Sequence, residues 1–270
     1  MAQAEIPLTG GDVTEGVVRV GDTVRRPVGE HSPLVHVVLR HLEAVGFDGA
    51  PRFLMLDHRG REVLTFVEGE VAGRPWPSWV ADQDRAASVA RLLRRLDDAM
   101  VPLGLPMGSA SPTGLAPLPT DEPCDPVPSF LGHLDVTPEN TVFRDGEAFA
   151  LIDFDLVRPA TRVDSVGNLL LWWGGWMPVE DREPVMRGID ATSRGRLLVD
   201  AYGVDPELRA HILPVAIRTA GRSWHRMRDR AARLGGGWAR MWDEGIGDQI
   251  RRREQWLVEN RARLAEALCR

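Results

Sequence analysis

Lysine is missing from this chain: all 33 basic residues among its 270 are arginine. Any cationic contact to a phosphate must therefore be a guanidinium. With many Ala, Gly and Pro, this bias has the look of a GC-rich genome. Cysteine is scarce. Cys124 and Cys269 lack metal-ligand spacing and are too few for a disulfide framework. No apolar run is long enough to cross a bilayer. The opening MAQAEIPLTGGDV lacks the basic stretch and apolar run of a signal peptide. A reducing cytoplasm is the expected location. A positive charge excess is missing too. The net charge of −6 argues for no nucleic-acid partner and no anionic membrane surface, and is compatible with a cationic substrate. No internal repeat is evident, and oligomeric state is not legible.

What remains is ordinary for a globular protein, with 43% hydrophobic and 27% charged residues. The length suits one large domain or two lobes with a sizeable core.

The informative stretch is Phe130 to Asp155, FLGHLDVTPENTVFRDGEAFALIDFD. Thr141 to Phe143 reads as a strand, Arg144 to Glu147 as a turn, and Ala148 to Ile152 as an apolar return strand. Asp-Gly supplies the positive φ that a tight hairpin needs. Asn140 then leads into the hairpin and Asp153 leads out. Paired strands lie about 5 Å apart, so both side chains can share one ion. Asp135 sits on the preceding loop. Two hard oxygen ligands beside a separate carboxylate suit Mg²⁺, which keeps several waters and binds substrate phosphates. The pattern fits phosphoryl transfer, where one Asp receives a hydroxyl proton and an Asn and an Asp hold metal.

His133-Leu134-Asp135, then Asn140, then Ile152-Asp153-Phe154-Asp155, resembles the aminoglycoside phosphotransferase family of kinase-like small-molecule enzymes. The departure is Leu134, where that family usually has glycine. The resemblance implies an α+β, bilobal protein-kinase-like fold: a small β-rich N-lobe over residues 1–68, a hinge over 69–80, and a larger, mostly helical C-lobe over 81–270. It implies ATP or GTP as donor, Mg²⁺ as cofactor, and a small-molecule hydroxyl as acceptor, an aminoglycoside or another antibiotic among the candidates. Asp135 would be catalytic, Asn140 and Asp153 the metal ligands, and His133 and Asp164 structural supports. A kinase-like protein that acts by binding alone is the alternative.

The N-lobe pattern is strand, strand, helix, strand, strand. Gly16–Val20 and Thr23–Pro27 flank a Gly21-Asp22 turn, and Gly10-Gly11 upstream could cover phosphates. Ser32 and Pro33 start a helix as N-cap and first-turn proline, with Val35, Val38, Leu39, Leu42 and Val45 on one face, and Gly46 stops it. Phe53–Leu56 and Glu62–Val67 are two more strands. By the resemblance, Phe66, Val67 and Glu68 enter the hinge that meets the nucleotide base. Kinase-like enzymes place a lysine on the third strand, paired with a glutamate. Here Arg25 and Arg26 lie on that strand and alternation sends them to opposite faces. Arg26 is the expected phosphate contact, Arg25 the second candidate, with Glu43 or Glu30 as acidic partner.

Asp82 starts a helix with Val89, Leu92, Leu93, Leu96 and Met100 inward. Residues 101–129 read as a long loop. A helix begins at Arg162, with Asp164 capping it and tying it to the catalytic loop. Three or four helices follow, over Glu180–Tyr202, Pro206–Leu234 and Ala239–Leu268. Glu180, Asp181 and Trp176 are candidate acceptor contacts. The Arg-rich segment 222–230 reads as a charged helix face.

Overall fold

The computed structural model describes residues 4–8, 16–105 and 127–269. Gly10-Gly11 and Cys124 lie outside the described residues, as does most of the 101–129 loop.

Five short strands make an antiparallel sheet in the order β1-β2-β3-β5-β4. They are β1 (Ile6–Pro7), β2 (Val18–Val20), β3 (Thr23–Arg26), β4 (Phe53–Leu56) and β5 (Glu62–Thr65). Between β3 and β4 runs α1 (Ser32–Ala44), which buries Val35, Val38, Leu39 and Leu42. Pro33 sits in its first turn, but the cap position is His31, with no side-chain cap bond. Ser32 lies inside the helix, and its Oγ accepts from Gly29 N at 3.0 Å. Val45 terminates the helix and is exposed, so it does not join the buried face.

The larger lobe starts at α2 (Gln83–Met100), capped by the Asp82 side chain, which accepts from Arg85 N. All five apolar positions read from its spacing are buried. Two small β pairs follow: β6 (Phe130–Gly132) with β9 (Arg158–Ala160), and β7 (Thr141–Arg144) with β8 (Glu147–Leu151). Both turn residues of the β7–β8 hairpin have positive φ, 51° at Asp145 and 83° at Gly146, the type I′ geometry that Asp-Gly favours. Next comes α3 (Arg162–Trp173), held at its start by a capping box between Thr161 and Asp164. Five helices complete the chain: α4 (Ala191–Tyr202), α5 (Pro206–Leu234), α6 (Gly236–Asp243), α7 (Ile246–Glu259) and α8 (Arg261–Cys269). The helix expected to begin at Glu180 begins at Ala191 instead. Prolines 178 and 184 break the segment before it into short 3-10 turns.

The core runs continuously from α1 through α2 to α3 and α4, with Leu93, Leu96, Phe130, Leu151, Leu169 and Trp173 all but fully buried. The lobes meet where Glu70 and Phe143 exchange backbone hydrogen bonds of 2.9 and 2.8 Å. At adjacent Gly69 (φ 153°) a Cβ would meet Val142 Cγ1 and the Phe143 carbonyl oxygen. Among the described residues no helix is long and apolar enough to cross a membrane.

Candidate active site

The β6-to-β7 connection carries His133, Asp135 and Asn140, and the end of β8 carries Asp153. Ile152 N donates to Asn140 O at 2.9 Å, extending the hairpin one step and setting Asn140 beside Asp153. Asn140 Nδ2 donates to the Asp135 carboxylate (2.8 Å) and to its backbone oxygen (3.1 Å). Residues 135, 140 and 153 therefore meet at the mouth of one hairpin.

The loop is braced from below. Asp135 N donates to His133 Nδ1 at 3.3 Å, so the ring proton is on Nε2, which reaches Ile152 O at 3.0 Å. Burial drops the His133 pKa to about 4, despite the Ile152 hydrogen bond, so the ring is neutral and structural. Val136 N donates to Asn168 Oδ1 (2.8 Å), and Trp173 Nε1 donates to Val136 O (2.9 Å). Asp164 caps α3, as its position implies, but the ties from α3 to the loop run through Asn168 and Trp173. Nothing in their sequence spacing distinguishes these two from core residues.

Two of the three non-glycine residues with positive φ among the described ones flank the site: Leu134 (55°) and Asp153 (61°). Strained backbone of this kind collects at functional sites. It also accounts for the position where the resembling family carries glycine. Leu134 takes on the left-handed conformation and offsets its strain by burying its side chain, 5% exposed.

Burial, with Asp153 and Glu139 nearby, pushes the Asp135 carboxyl up to about 7, against the pull of Arg158 and Asn140. Asp135 is thus a far better proton acceptor at neutral pH than an ordinary aspartate. Burial and Asp155 also raise Asp153, opposed by Arg26.

Arg26 lies over Asp153, on the face of β3 opposite that of Arg25. It is 8% exposed and binds Glu62 Oε2 (2.5 Å), Asp155 Oδ1 (2.5 Å) and Asp153 Oδ1 (3.4 Å). Burial works against its charge, but Asp155, Glu62 and Asp153 outweigh that and raise its pKa. The expected partners are corrected. Glu43 pairs with Arg52, and Glu30 with Arg233. The acidic partner is Glu62, fully buried, whose other oxygen meets His36 Nε2 of α1 at 2.5 Å. β3 and β5 are neighbours in the sheet, and Arg26 stands directly opposite Glu62. Arg25 points to the other face, toward Asp57 (4.0 Å) and Thr23 (2.6 Å).

At the hinge, Arg19 lies over the Phe66 ring (3.8 Å) and binds Glu68 (2.5 Å). Phe66 N donates to Asp22 O, and Glu68 O accepts from Arg144 Nε at 2.8 Å. Of the acceptor candidates, Trp176 belongs to the core, 2% exposed, with Nε1 donating to Ala191 O. Glu180 is exposed. Asp181 does line a cavity of about 190 Å³ between Trp76, Trp172 and helices α6 and α7, where it is bound by Arg252. The cavity joins the catalytic loop through Trp76 Nε1, which donates to Glu139 at 2.9 Å.

No family model matches the chain. It is 35% identical over 212 residues to the trifolitoxin immunity protein of Rhizobium leguminosarum bv. trifolii, covering 76% of each chain. Its fold is similar to the aminoglycoside phosphotransferase APH(2")-IIa solved with gentamicin (TM-score 0.58, 12% identity, 99% of this chain and 94% of that one). It is equally similar to a choline/ethanolamine kinase family protein from Mesorhizobium loti (TM-score 0.58, 17% identity, 98% and 92%). The chain belongs to the family of the trifolitoxin immunity protein, and its two lobes have the kinase-like fold of the aminoglycoside phosphotransferases.

Proposed function

We propose that this protein transfers the terminal phosphate of ATP or GTP to a hydroxyl of a small molecule. The observation that carries the reading is the convergence of Asp135, Asn140 and Asp153 at one hairpin mouth, beneath a buried guanidinium. Arg26 takes the role of the missing lysine and contacts the nucleotide phosphates. Glu62 holds it in place. The segment 66–68 faces the base.

The donor set fits Mg²⁺. Asp153 offers a carboxylate, and the contacts of Asn140 Nδ2 to Asp135 leave Oδ1 for a cation. Held there by Asn140 and Asp153, Mg²⁺ would offset the charge of the donor's phosphates. Asp135 aligns the acceptor hydroxyl and receives its proton, a task its raised pKa favours.

An antibiotic or toxin as the acceptor is supported by the immunity protein's name and by the gentamicin complex of the structural relative. A triphosphate donor suits a cytoplasmic protein. A second reading, binding without transfer, is favoured by one contact: Arg26 Nη1 already faces Asp153 Oδ1 at 3.4 Å. Turnover decides between them. Asp135→Ala should fold normally and lose kcat by orders of magnitude; full activity in that variant rejects the assignment.

A further inference from the structure

The cavity of about 190 Å³ in the larger lobe is walled by Trp76, by Trp172 of α3, and by Met177, Met186 and Met241. A space of about 150 Å³ accepts benzene, so this one has room for a single ring or a branched chain. Indole rings and flexible thioethers make a wall that moulds to an apolar group. Two parts of the wall are tied to the catalytic loop. Trp76 Nε1 donates to Glu139, the residue before Asn140, at 2.9 Å. Trp173, the neighbour of Trp172, donates to Val136 O at 2.9 Å.

Helix α7 closes another side. Ile246, Gln249, Ile250 and Arg253 recur at i, i+3, i+4 and i+7, and all four line the cavity from one face of the helix.

Three arginines and two carboxylates belong to the lining, and all but one of these charges are engaged. Asp181 is held by Arg252, Nε to Oδ2 at 3.0 Å and Nη2 to Oδ1 at 2.5 Å. Glu183 faces Arg74 at 3.9 Å, and Arg74 also binds Glu139 at 2.5 Å. Arg182 donates to the carbonyl oxygens of Met177 and Ile189, at 3.1 and 2.8 Å. Arg253 makes no hydrogen bond or ion pair among the described residues. The adjacent Glu254 turns to α5 instead, where its Oε1 lies 2.7 Å from the place a Cβ on Gly221 would take. Burial brings the Arg253 pKa down to about 10, with the charge of Glu254 opposing.

A desolvated guanidinium gains from a carboxylate, whose two oxygens match its fork. The two carboxylates of the wall already face arginines, so a cationic group gains little from them.

We propose that this cavity is the acceptor's specificity pocket, and that it takes an apolar side group bearing a carboxylate, packed between Trp76 and Trp172 with its acid on Arg253. This rests on the phosphotransferase reading and gives its acceptor a chemical class: an amphipathic acid rather than a polycation. The net charge of −6 resides elsewhere, and the spare charge at this wall is positive.

The probes are 3-phenylpropionate and 3-phenylpropylamine, which share a ring and chain and differ in charge. Binding to the full chain is followed on the indole N–H signals of Trp76 and Trp172 by NMR, assigned with Trp76→Phe and Trp172→Phe. The acid should bind saturably and move these signals, and the amine should bind about tenfold more weakly or worse. Arg253→Gln should weaken the acid about tenfold or more, as expected for a lost charge-assisted contact. Arg253→Lys, which keeps the charge, should retain part of the binding and guards against misfolding of the glutamine variant. The acid should also bind in the presence of Mg²⁺ and ADP, as an acceptor group must. An acid that fails to bind, that binds no better than the amine, that binds Arg253→Gln equally, or that Mg²⁺ and ADP exclude overturns the proposal. Failure of Mg²⁺ and ADP to bind at all overturns the phosphotransferase reading instead, and the acid-against-amine comparison still reads the pocket.

Discussion

Arg26 on β3 and Glu62 on β5 stand directly across from each other, joined Nε to Oε2 at 2.5 Å within the N-lobe. A lysine-free chain thus keeps a buried cation above Asp153, with the counter-charge on a neighbouring strand rather than on α1. His36 supplies the helix's contact to that pair.

Glu62→Gln keeps the shape and removes the charge. Arg26 is then left buried with two carboxylates at the cleft, and the protein should lose roughly 3 kcal/mol of stability. Nucleotide KM should rise about tenfold or more as the guanidinium swings toward Asp155. Urea unfolding and steady-state kinetics check both. Arg25→Gln should leave nucleotide KM unchanged, because Arg25 faces away from the cleft.

Asn168→Ala removes the acceptor of Val136 N. An unsatisfied buried amide costs about 1–3 kcal/mol. The catalytic loop should loosen, so kcat should fall while nucleotide KM stays put, since Arg26 and Asp153 are held by other contacts. A variant whose kcat is unaltered shows that the loop is positioned without Asn168.

Gly69→Ala places a methyl group against Val142 and the Phe143 carbonyl at the lobe junction. The backbone there must shift, and overpacking of this kind costs about 1–3 kcal/mol. Differential scanning calorimetry should show a lower melting temperature. Hydrogen exchange at the amides of Glu70 and Phe143 should speed up more than in α2.

Asp97, buried in α2 and bonded by the Tyr202 hydroxyl at 2.6 Å, has its pKa pushed up by burial to about 7, from 3.8. The sign follows. Between pH 4 and 7 the folded state holds a proton that the unfolded chain has lost. Stability therefore falls as pH rises through that window, by about 1.4 kcal/mol per pH unit for one full proton, and levels off above it. Asp97→Asn should remove this contribution to the slope, measured as urea midpoints from pH 4 to 8.

The β7–β8 hairpin was legible because its signals are local: Asp-Gly favours one turn type, and turn position dictates which residues reach the open end. Helices α1, α2 and α5 were legible from spacing and stop signals. The failures are non-local. Glu62 pairs with Arg26 through strand order, which spacing alone does not declare. Trp176 and Trp172 are near neighbours, and only packing decides that one is core and the other lines a cavity.

The most direct test is Mn²⁺ binding, read by water-proton relaxation, with and without ADP. The account predicts that wild type binds Mn²⁺ tightly only when ADP is present, and that Asp153→Ala and Asn140→Ala each weaken this by about tenfold or more. Equal nucleotide-dependent Mn²⁺ binding in wild type and Asp153→Ala contradicts it.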